Sequence, residues 1–397
     1  MKIVDCRLRN EPTHHDQGAG HSDSRPPTIL YVITDLKLGG VPLHLFRLAC
    51  DIRSRGLEPT VVSLSPPEPV SDMLSQEGIP VRDCGGCCGW DIRVIGRLTQ
   101  VVREVRPNLI HSFLFHANFA ARRAARKAGF PKEKLICEIQ TVEVERSWHL
   151  WVDRWTHRGC RCVVGNSPSV VDHLHVQARI PRDRLRLIRG GIDPTAYENA
   201  EAVDRPSLGL PMDARIVLWV GRLDPVKGLD VLIDAFGGVA RRSSAHLLLV
   251  GDGAMRGELE RQIARAGLTG RVQLLGMRRD VPALLKAADA FVFPSRTEGW
   301  PNALLEAMAS ARPIVTTDVP GCRDLIEHER TGLLVPYCDT RALADAIERL
   351  LQDREAAAGW GAAAREEVTR RWHFRTMMDG YESLYREILT ATGSSAN

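Results

Sequence analysis

One feature constrains the fold more than any other: short apolar runs recur along the chain, and stretches of helical periodicity lie between them. From Ile29 the order is ILYVIT, the amphipathic VPLHLFRLACDIRSRG with Gly56 near its C-cap, PTVVSL, and later LIHSF, LICEI and CVVGN. Runs this short and apolar read as strands buried on both sides, as in a parallel sheet covered by helices. The texture resets near LIRGGIDP, where Gly190, Gly191 and Pro194 suit a hinge. It starts again with RIVLWVGRL, HLLLVGDG, VQLLG, AFVFPS and PIVTT. The expected fold class is α/β, with two Rossmann-like doubly wound parallel-sheet domains. Expected boundaries are a polar, mobile extension over 1–27, an N-terminal domain over 28–190, a second domain over 191–373 and a terminal helix over 374–392.

Composition narrows the class. At roughly 150 residues per domain, 397 residues leave room for two good-sized cores. With 44% hydrophobic and 26% charged residues the chain is neither disordered nor fibrous. Ten cysteines are too few for a disulfide scaffold. No apolar run approaches the roughly 18–20 residues of a spanning helix, and the start, MKIVDCRLRNEPTHHDQ, has no secretory h-region. A soluble protein of a reducing compartment is expected.

Charge is unevenly spread. The net is +4, yet residues 91–190 carry 19 Lys and Arg against 9 Asp and Glu. That excess suits lipid headgroups, a diphosphate or nucleic acid, or else a solvated basic face such as Arg122, Arg123, Arg126 and Lys127. Nucleic acid is not expected, because there is no zinc-finger spacing and no RNP-like motif. Trp148, Trp151 and Trp155 recur at helical spacing among Arg146, Arg154 and Arg158. Such a stripe reads first as a core-facing face and second as contact with an anionic membrane surface. Cys84, Cys87 and Cys88, with Cys160 and Cys162, invite zinc, but nothing in the sequence makes four ligands converge, so no metal site is expected. His14 and His15 lie in the extension, and His173 and His175 read as a helix face.

Ligands of open parallel sheets bind at the carboxyl ends of the strands. The residues there are Thr34, Asp35, Gly39 and Gly40; His111 and His116; Gln140 and Glu143; and Asn166 and Ser167 in the first half. The second half offers Gly221, Arg222 and Lys227; Gly251, Asp252 and Gly253; and Ser295, Glu298 and Glu306. In VGRLDPVKGLD, Arg222 follows a strand and Lys227 stands at the start of a helix, where two cations can hold a diphosphate. In SRTEGWPNALLEAMA, Gly299 permits a tight turn and Pro301 suits a first helical turn whose N–H groups are free. Glu298 and Glu306 have seven residues between them, and a carboxylate can accept from a hydroxyl pair. Gly39 and Gly40 allow close backbone approach, though they do not complete a dinucleotide fingerprint.

G-R-x4-K-G, GDG, E-G-W-P-N-A-L-L-E-A-M-A and GLLVP together resemble the C-terminal domain of the group-1 (family four) glycosyltransferases, which have the GT-B fold. LKLGG and HSFLFHAN are similar to the family's acceptor-side domain, and the resemblance runs from Ile29 to the C-terminus. It implies two Rossmann-like domains facing across a cleft, with the last helix crossing back. It also implies a nucleotide-sugar donor on the C-terminal side and transfer with retention, without a metal or other cofactor. On this resemblance Glu306 holds the ribose and Glu298 the donor sugar's hydroxyls, the backbone around Pro301, Asn302 and Ala303 meets the phosphates, and Leu304 belongs to the donor-binding set. Gly39, Gly40, Gly221 and Gly299 join the donor-binding set, and Arg222, Lys227, Glu298, Gln140 and His116 form the catalytic set. Three departures stand out. Gln140 occupies a position where many relatives have histidine, Val41 and Pro42 follow Gly39-Gly40 where Ala-Glu is common, and Ala311 replaces a common glycine.

The expected activity is transfer of a hexose from a UDP- or GDP-sugar to a glycan or lipid-linked glycan, in surface-polysaccharide or glycoconjugate assembly. The expected location is the cytoplasm, peripheral on the inner face of the cytoplasmic membrane. A catalytically weak nucleotide-sugar-binding protein and a sugar-nucleotide epimerase on the same fold are the alternatives. Gln140 is the only support for the first, and the E-x7-E loop speaks against the second.

Overall fold

The computed structural model describes residues 26–87, 91–141 and 147–391. The extension up to residue 25, with His14 and His15, lies outside the described residues, as do Cys88, Glu143 and Arg146. Seven strands form one sheet: β1 (Thr28–Ile33), β2 (Glu58–Ser63), β3 (Val81–Asp83), β4 (Leu109–Phe113), β5 (Leu135–Ile139), β6 (Cys162–Gly165) and β7 (Leu185–Leu187). Its order is β3-β2-β1-β4-β5-β6-β7, and the pairs from β3 through β5 are parallel. Six strands form a second sheet: β8 (Ile216–Val220), β9 (His246–Val250), β10 (Val272–Gly276), β11 (Ala290–Phe293), β12 (Ile314–Thr317) and β13 (Leu333–Val335). Its order is β10-β9-β8-β11-β12-β13, parallel throughout. The helices used below are α1 (Gly40–Ser54), α2 (Phe115–Ala128), α3 (Ser147–Thr156), α4 (Leu229–Arg242), α5 (Asn302–Ala309) and α6 (Phe374–Thr390).

The apolar runs behave as their uniformity predicts: β1, β4, β8 and β11 are buried almost along their length. The helices cover them with one face. On α1 that face is Pro42, Leu45, Leu48, Ala49 and Ile52, and on α4 it includes Leu229, Leu232, Ile233, Phe236 and Val239, both at helical spacing. Contacts divide the chain into two compact units. The first takes the chain through Ile139, Val152–Val163 and the chain from Tyr381 onward; the second takes Gln140–Trp151 and Val164–Gly380.

The first unit encloses a polar cluster. Glu138, on β5, is wholly buried. The Tyr381 hydroxyl lies 3.0 Å from both of its carboxylate oxygens, and His111 Nε2 lies 3.1 Å from Oε2. His111 Nδ1 meets the Tyr385 hydroxyl at 2.7 Å, and His44 Nε2 meets that of Tyr381 at 3.1 Å. A buried carboxylate without such partners costs several kcal/mol, so the end of α6 is bound to this unit by chemistry as well as by packing. Arg55 adds an ion pair to Glu382 at 2.6 Å. His111 was expected at the end of its strand; it lies inside β4, fully buried, with the Tyr385 hydroxyl at Nδ1 and the Glu138 carboxylate beside Nε2.

Two surface expectations also change. Arg122 is not part of the solvated face: it is buried on α2, and its Nη1 donates to Asp153 Oδ1 at 2.6 Å and to Thr156 Oγ1 at 2.8 Å. Arg123, Arg126 and Lys127 are exposed. The tryptophan stripe does not face the core, since Trp148, Trp151 and Trp155 are 38%, 63% and 65% exposed.

Tyr381→Phe removes the donor to a buried carboxylate and is expected to cost about 1–3 kcal/mol in urea unfolding; an unchanged midpoint would show Glu138 to be satisfied without it. Burial, reinforced by His111 and Arg47 and opposed by Glu138, holds His44 below the ordinary histidine value. The unfolded chain therefore binds that proton more tightly, and stability declines as pH falls below about 6.5. Glu382, whose pKa is lowered chiefly by its hydrogen bond from Arg55, acts in the same direction only below about pH 4.3. His44→Gln should flatten the melting-temperature curve between about pH 6.5 and 5 without touching the more acidic limb.

Candidate functional site

In the second sheet the strand order reverses between β8 and β11, so the loops leaving their carboxyl ends diverge and open a crevice. Arg222 and Lys227 follow β8, and Glu298 follows β11. The loop after β8 is stitched down by the GDG segment. Gly221 N–H donates to the Val250 carbonyl (2.9 Å), Leu223 N–H to that of Asp252 (3.0 Å), and Met255 N–H to that of Leu223 (3.1 Å). The Asp224 side chain then accepts from Val226 N–H at 3.2 Å and caps the turn Pro225–Lys227, and Gly228, at φ +64°, leads into α4. Lys227 thus stands in a tight turn just before the helix.

The loop after β11 is tied to the same turn. Arg296 N–H donates to the Val226 carbonyl (2.8 Å), and its guanidinium reaches Asp230 (2.5 Å). Thr316 Oγ1 donates to the Phe293 carbonyl at 2.7 Å and Thr317 Oγ1 to that of Ser295 at 2.5 Å. These bonds bring Lys227 Nζ within 2.6 Å of Glu298 Oε1, and the ammonium also lies over the Phe293 ring at 5.6 Å. Both members of the pair are largely shielded, with side chains 19% and 10% exposed. Arg222 is 75% exposed and 3.4 Å from Asp224, a surface cation on the same loop.

Pro301 was expected inside the first turn of the helix; it is the N-cap instead, with α5 starting at Asn302 and no side chain capping it. Asn302 is exposed, and Ala303 and Glu306 are half-buried. Leu304, named in the donor-binding set, has a fully buried side chain, and its N–H donates to the Pro301 carbonyl at 3.1 Å. Gly299 packs so closely on the Gln140–Thr141 backbone that a Cβ would stand 2.3 Å from the Gln140 carbonyl oxygen. The structure therefore joins Gln140 to the Glu298 loop.

The remaining candidates belong to the first unit, at the corresponding reversal between β1 and β4. Gly39 caps α1 in extended backbone (φ −176°), Gly40 is the first residue of α1, and His116 is half-buried in the first turn of α2. Among the described residues no group of three or more His, Cys, Asp or Glu is placed to hold a metal ion. No described helix is long and apolar enough to cross a membrane. The sequence offered no signal for the threonine hydroxyls of β12 or for the bond from Ser169 N–H to Asp324 (3.0 Å), since each depends on a distant partner.

Known proteins share this fold. The family model for Glycosyltransferase Family 4 matches residues 38–196, and that for Glycosyl transferases group 1 matches residues 214–353. Together they take in about three quarters of the chain, which belongs to the group-1 (family four) glycosyltransferases. Alpha-D-kanosaminyltransferase of Streptomyces kanamyceticus is 31% identical over 245 residues, 60% of this chain and 63% of that protein. The 2-deoxystreptamine N-acetyl-D-glucosaminyltransferase of Streptomyces fradiae is 26% identical over 399 residues, 90% of this chain and 93% of that protein. The structure of Anabaena Alr3699/HepE in complex with UDP superposes with a TM-score of 0.79 at 25% identity, covering 91% of this chain and all of that one. The matches span less than two thirds of the length of the first curated relatives, at 63%, 64% and 60%. The fold is GT-B, with one parallel-sheet domain of seven strands and one of six.

Lys227→Met leaves the Glu298 carboxylate shielded and without its cation. A loss of roughly 1–3 kcal/mol in urea unfolding is expected, most of it restored in Lys227→Met/Glu298→Gln. Additive losses in the double variant would show the pair to be uncoupled.

Proposed function

We propose that the chain is a retaining hexosyltransferase that takes a UDP- or GDP-sugar and transfers the sugar to a glycan or lipid-linked glycan acceptor. The observation that carries this reading is the Lys227–Glu298 pair at the reversal of the second sheet, 2.6 Å apart and shielded. Departure of a nucleoside diphosphate builds negative charge, and preorganised cations stabilise it without reorganisation. Lys227 and Arg222 are the cations for that task, and the uncapped N–H groups at the start of α5 add a third donor set. When a diphosphate takes up Lys227, Glu298 exchanges its ammonium partner for hydroxyl groups of the donor sugar. Glu306, half-buried on the following helix, accepts from the ribose. Gln140 stands beside the loop as a neutral hydrogen-bonding group, so proton uptake there is not part of the scheme.

The names of the relatives agree with this class of reaction: the proteins cited above are a kanosaminyltransferase and an N-acetylglucosaminyltransferase, and HepE was solved with UDP. A calorimetric and thermal-shift screen of the full chain against UDP, GDP, ADP and their sugar conjugates tests it. Binding of one nucleotide is expected, and no shift with any of them in folded protein would remove the donor-site reading. Lys227→Ala and Glu306→Ala should each lower turnover about 100- to 1,000-fold with the fold retained.

The second partner in this proposal is an anionic lipid surface, met by α3. Trp151 and Trp155 are 63% and 65% exposed on that helix, and the Arg154 guanidinium lies 5.7 Å from the centre of the Trp155 ring. Rings of this size in water beside arginines suit the headgroup boundary. Cosedimentation with phosphatidylglycerol vesicles should exceed that with phosphatidylcholine, weaken with salt and fall in Trp151→Ala/Trp155→Ala. Equal recovery from both vesicle types, or none from either, would refute the lipid partner.

A further inference from the structure

The loop that carries Glu298 is held on three sides by backbone that leaves no clearance. At Gly299 a Cβ would stand 2.3 Å from the Gln140 carbonyl oxygen. At Gly321 it would stand 2.6 Å from the carbonyl oxygen of Glu298 and 2.8 Å from that of Gly299. At Gly190 it would fall inside the Trp300 indole, 2.1 Å from Nε1 and 2.3 Å from Cδ1. None of the three has a left-handed φ, so space alone excludes a side chain.

The Gly190 contact differs from the others because it is made by a side chain. Trp300 is 8% exposed and packs edge-to-face against Trp372, ring centres 6.2 Å apart. Its indole N–H is buried with no hydrogen-bond partner, so shape and not a polar contact sets the ring's position. Gly190 is itself fixed: its N–H donates at 3.1 Å to the carbonyl of Asn166, just beyond β6. A rigid segment therefore meets a rigid ring, and that ring is two residues from the carboxylate that pairs with Lys227.

We propose that Gly190 is a positioning residue: its missing side chain seats Trp300, and Trp300 sets where Glu298 meets Lys227. The inference rests on reading that pair as donor machinery. Any side chain at residue 190 must displace the indole, and the loop with it.

The test uses the full chain as Gly190→Ala, Trp300→Ala and the double variant, with two readouts. The first is hydrogen exchange over residues 294–302 without ligand. The second is release of nucleotide from UDP-glucose and GDP-mannose, with UDP and GDP affinities from calorimetry. Gly190→Ala should raise exchange in that segment. It should also lower kcat about 100-fold, the effect of a misplacement near 1 Å, with KM moving less than about threefold. Trp300→Ala alone should also lower turnover, and the double variant, in which the clash is gone, should lose no more than Trp300→Ala does, so that the two losses are not additive. Wild-type exchange and turnover in Gly190→Ala, or additive losses in the double variant, overturns the proposal. If Gly190→Ala does not fold, recovery of the fold in the double variant supports it and failure there overturns it. If the unaltered chain binds neither UDP nor GDP, the donor reading fails by itself, and the exchange data still decide the positioning.

Discussion

A parallel sheet covered on both faces has no solvated side on which to place chemistry, and this constraint organises the molecule. β1, β4, β8 and β11 are buried almost along their length, so polar groups that must meet a ligand are confined to the loops that leave the strands. Within each sheet those loops part at one place, between β1 and β4 in the first and between β8 and β11 in the second. Gly39, Gly40 and His116 stand at one reversal, and Arg222, Lys227 and Glu298 at the other. The location of the candidate residues is thus a consequence of strand order.

The first unit breaks the rule once. Glu138 and His111 sit on interior strands with no solvent at all. Hydroxyls and imidazoles surround them, two of those hydroxyls arriving from Tyr381 and Tyr385 at the far end of the sequence. A polar cluster of this kind adds less stability than an apolar core of the same volume, but it is specific about its partners. An α6 without these tyrosines would take a donor from Glu138 and a partner from His111, so the cluster selects one seat for the last helix.

Much of this was legible from residue order. Uniform apolar runs such as LIHSF and AFVFP mark interior strands, because a strand buried on both faces shows no alternation. Three strands left no such mark: β3 is Val-Arg-Asp, β7 is Leu-Arg-Leu and β13 is Leu-Leu-Val, each three residues long and each at a sheet edge. β3 and β7 each carry an arginine, as an edge position allows, and β13 is apolar but too short to read as a run of its own. Lys227 and Glu298 were legible as motif members, but their 2.6 Å contact was not, since 71 residues separate them. His111 and Arg122 were misread for a common reason. A polar residue reads as exposed until its buried partner is known, and Glu138 and Asp153 cannot be matched to them by spacing. The tryptophan stripe failed in the opposite sense, because periodicity reports that residues share a face and not what that face meets.

Magnitudes separate what holds the candidate site from what acts in it. An ion pair with some access to water contributes about 0–1 kcal/mol net, too little to anchor an eight-residue loop whose ordering costs about 1–2 kcal/mol per residue in backbone entropy. The anchoring comes instead from the threonine hydroxyls of β12, the Arg296 backbone bond, and the close approach of Gly299, Gly321 and Gly190 to their neighbours. With the loop fixed by shape, the pair does not have to stay closed for the loop to stay in place. A diphosphate, the ligand proposed for it, can then take Lys227 from Glu298 at little cost, exchanging one charge-assisted hydrogen bond for another of similar strength. The carboxylate so released stays where the loop put it, ready to accept from a hydroxyl donor.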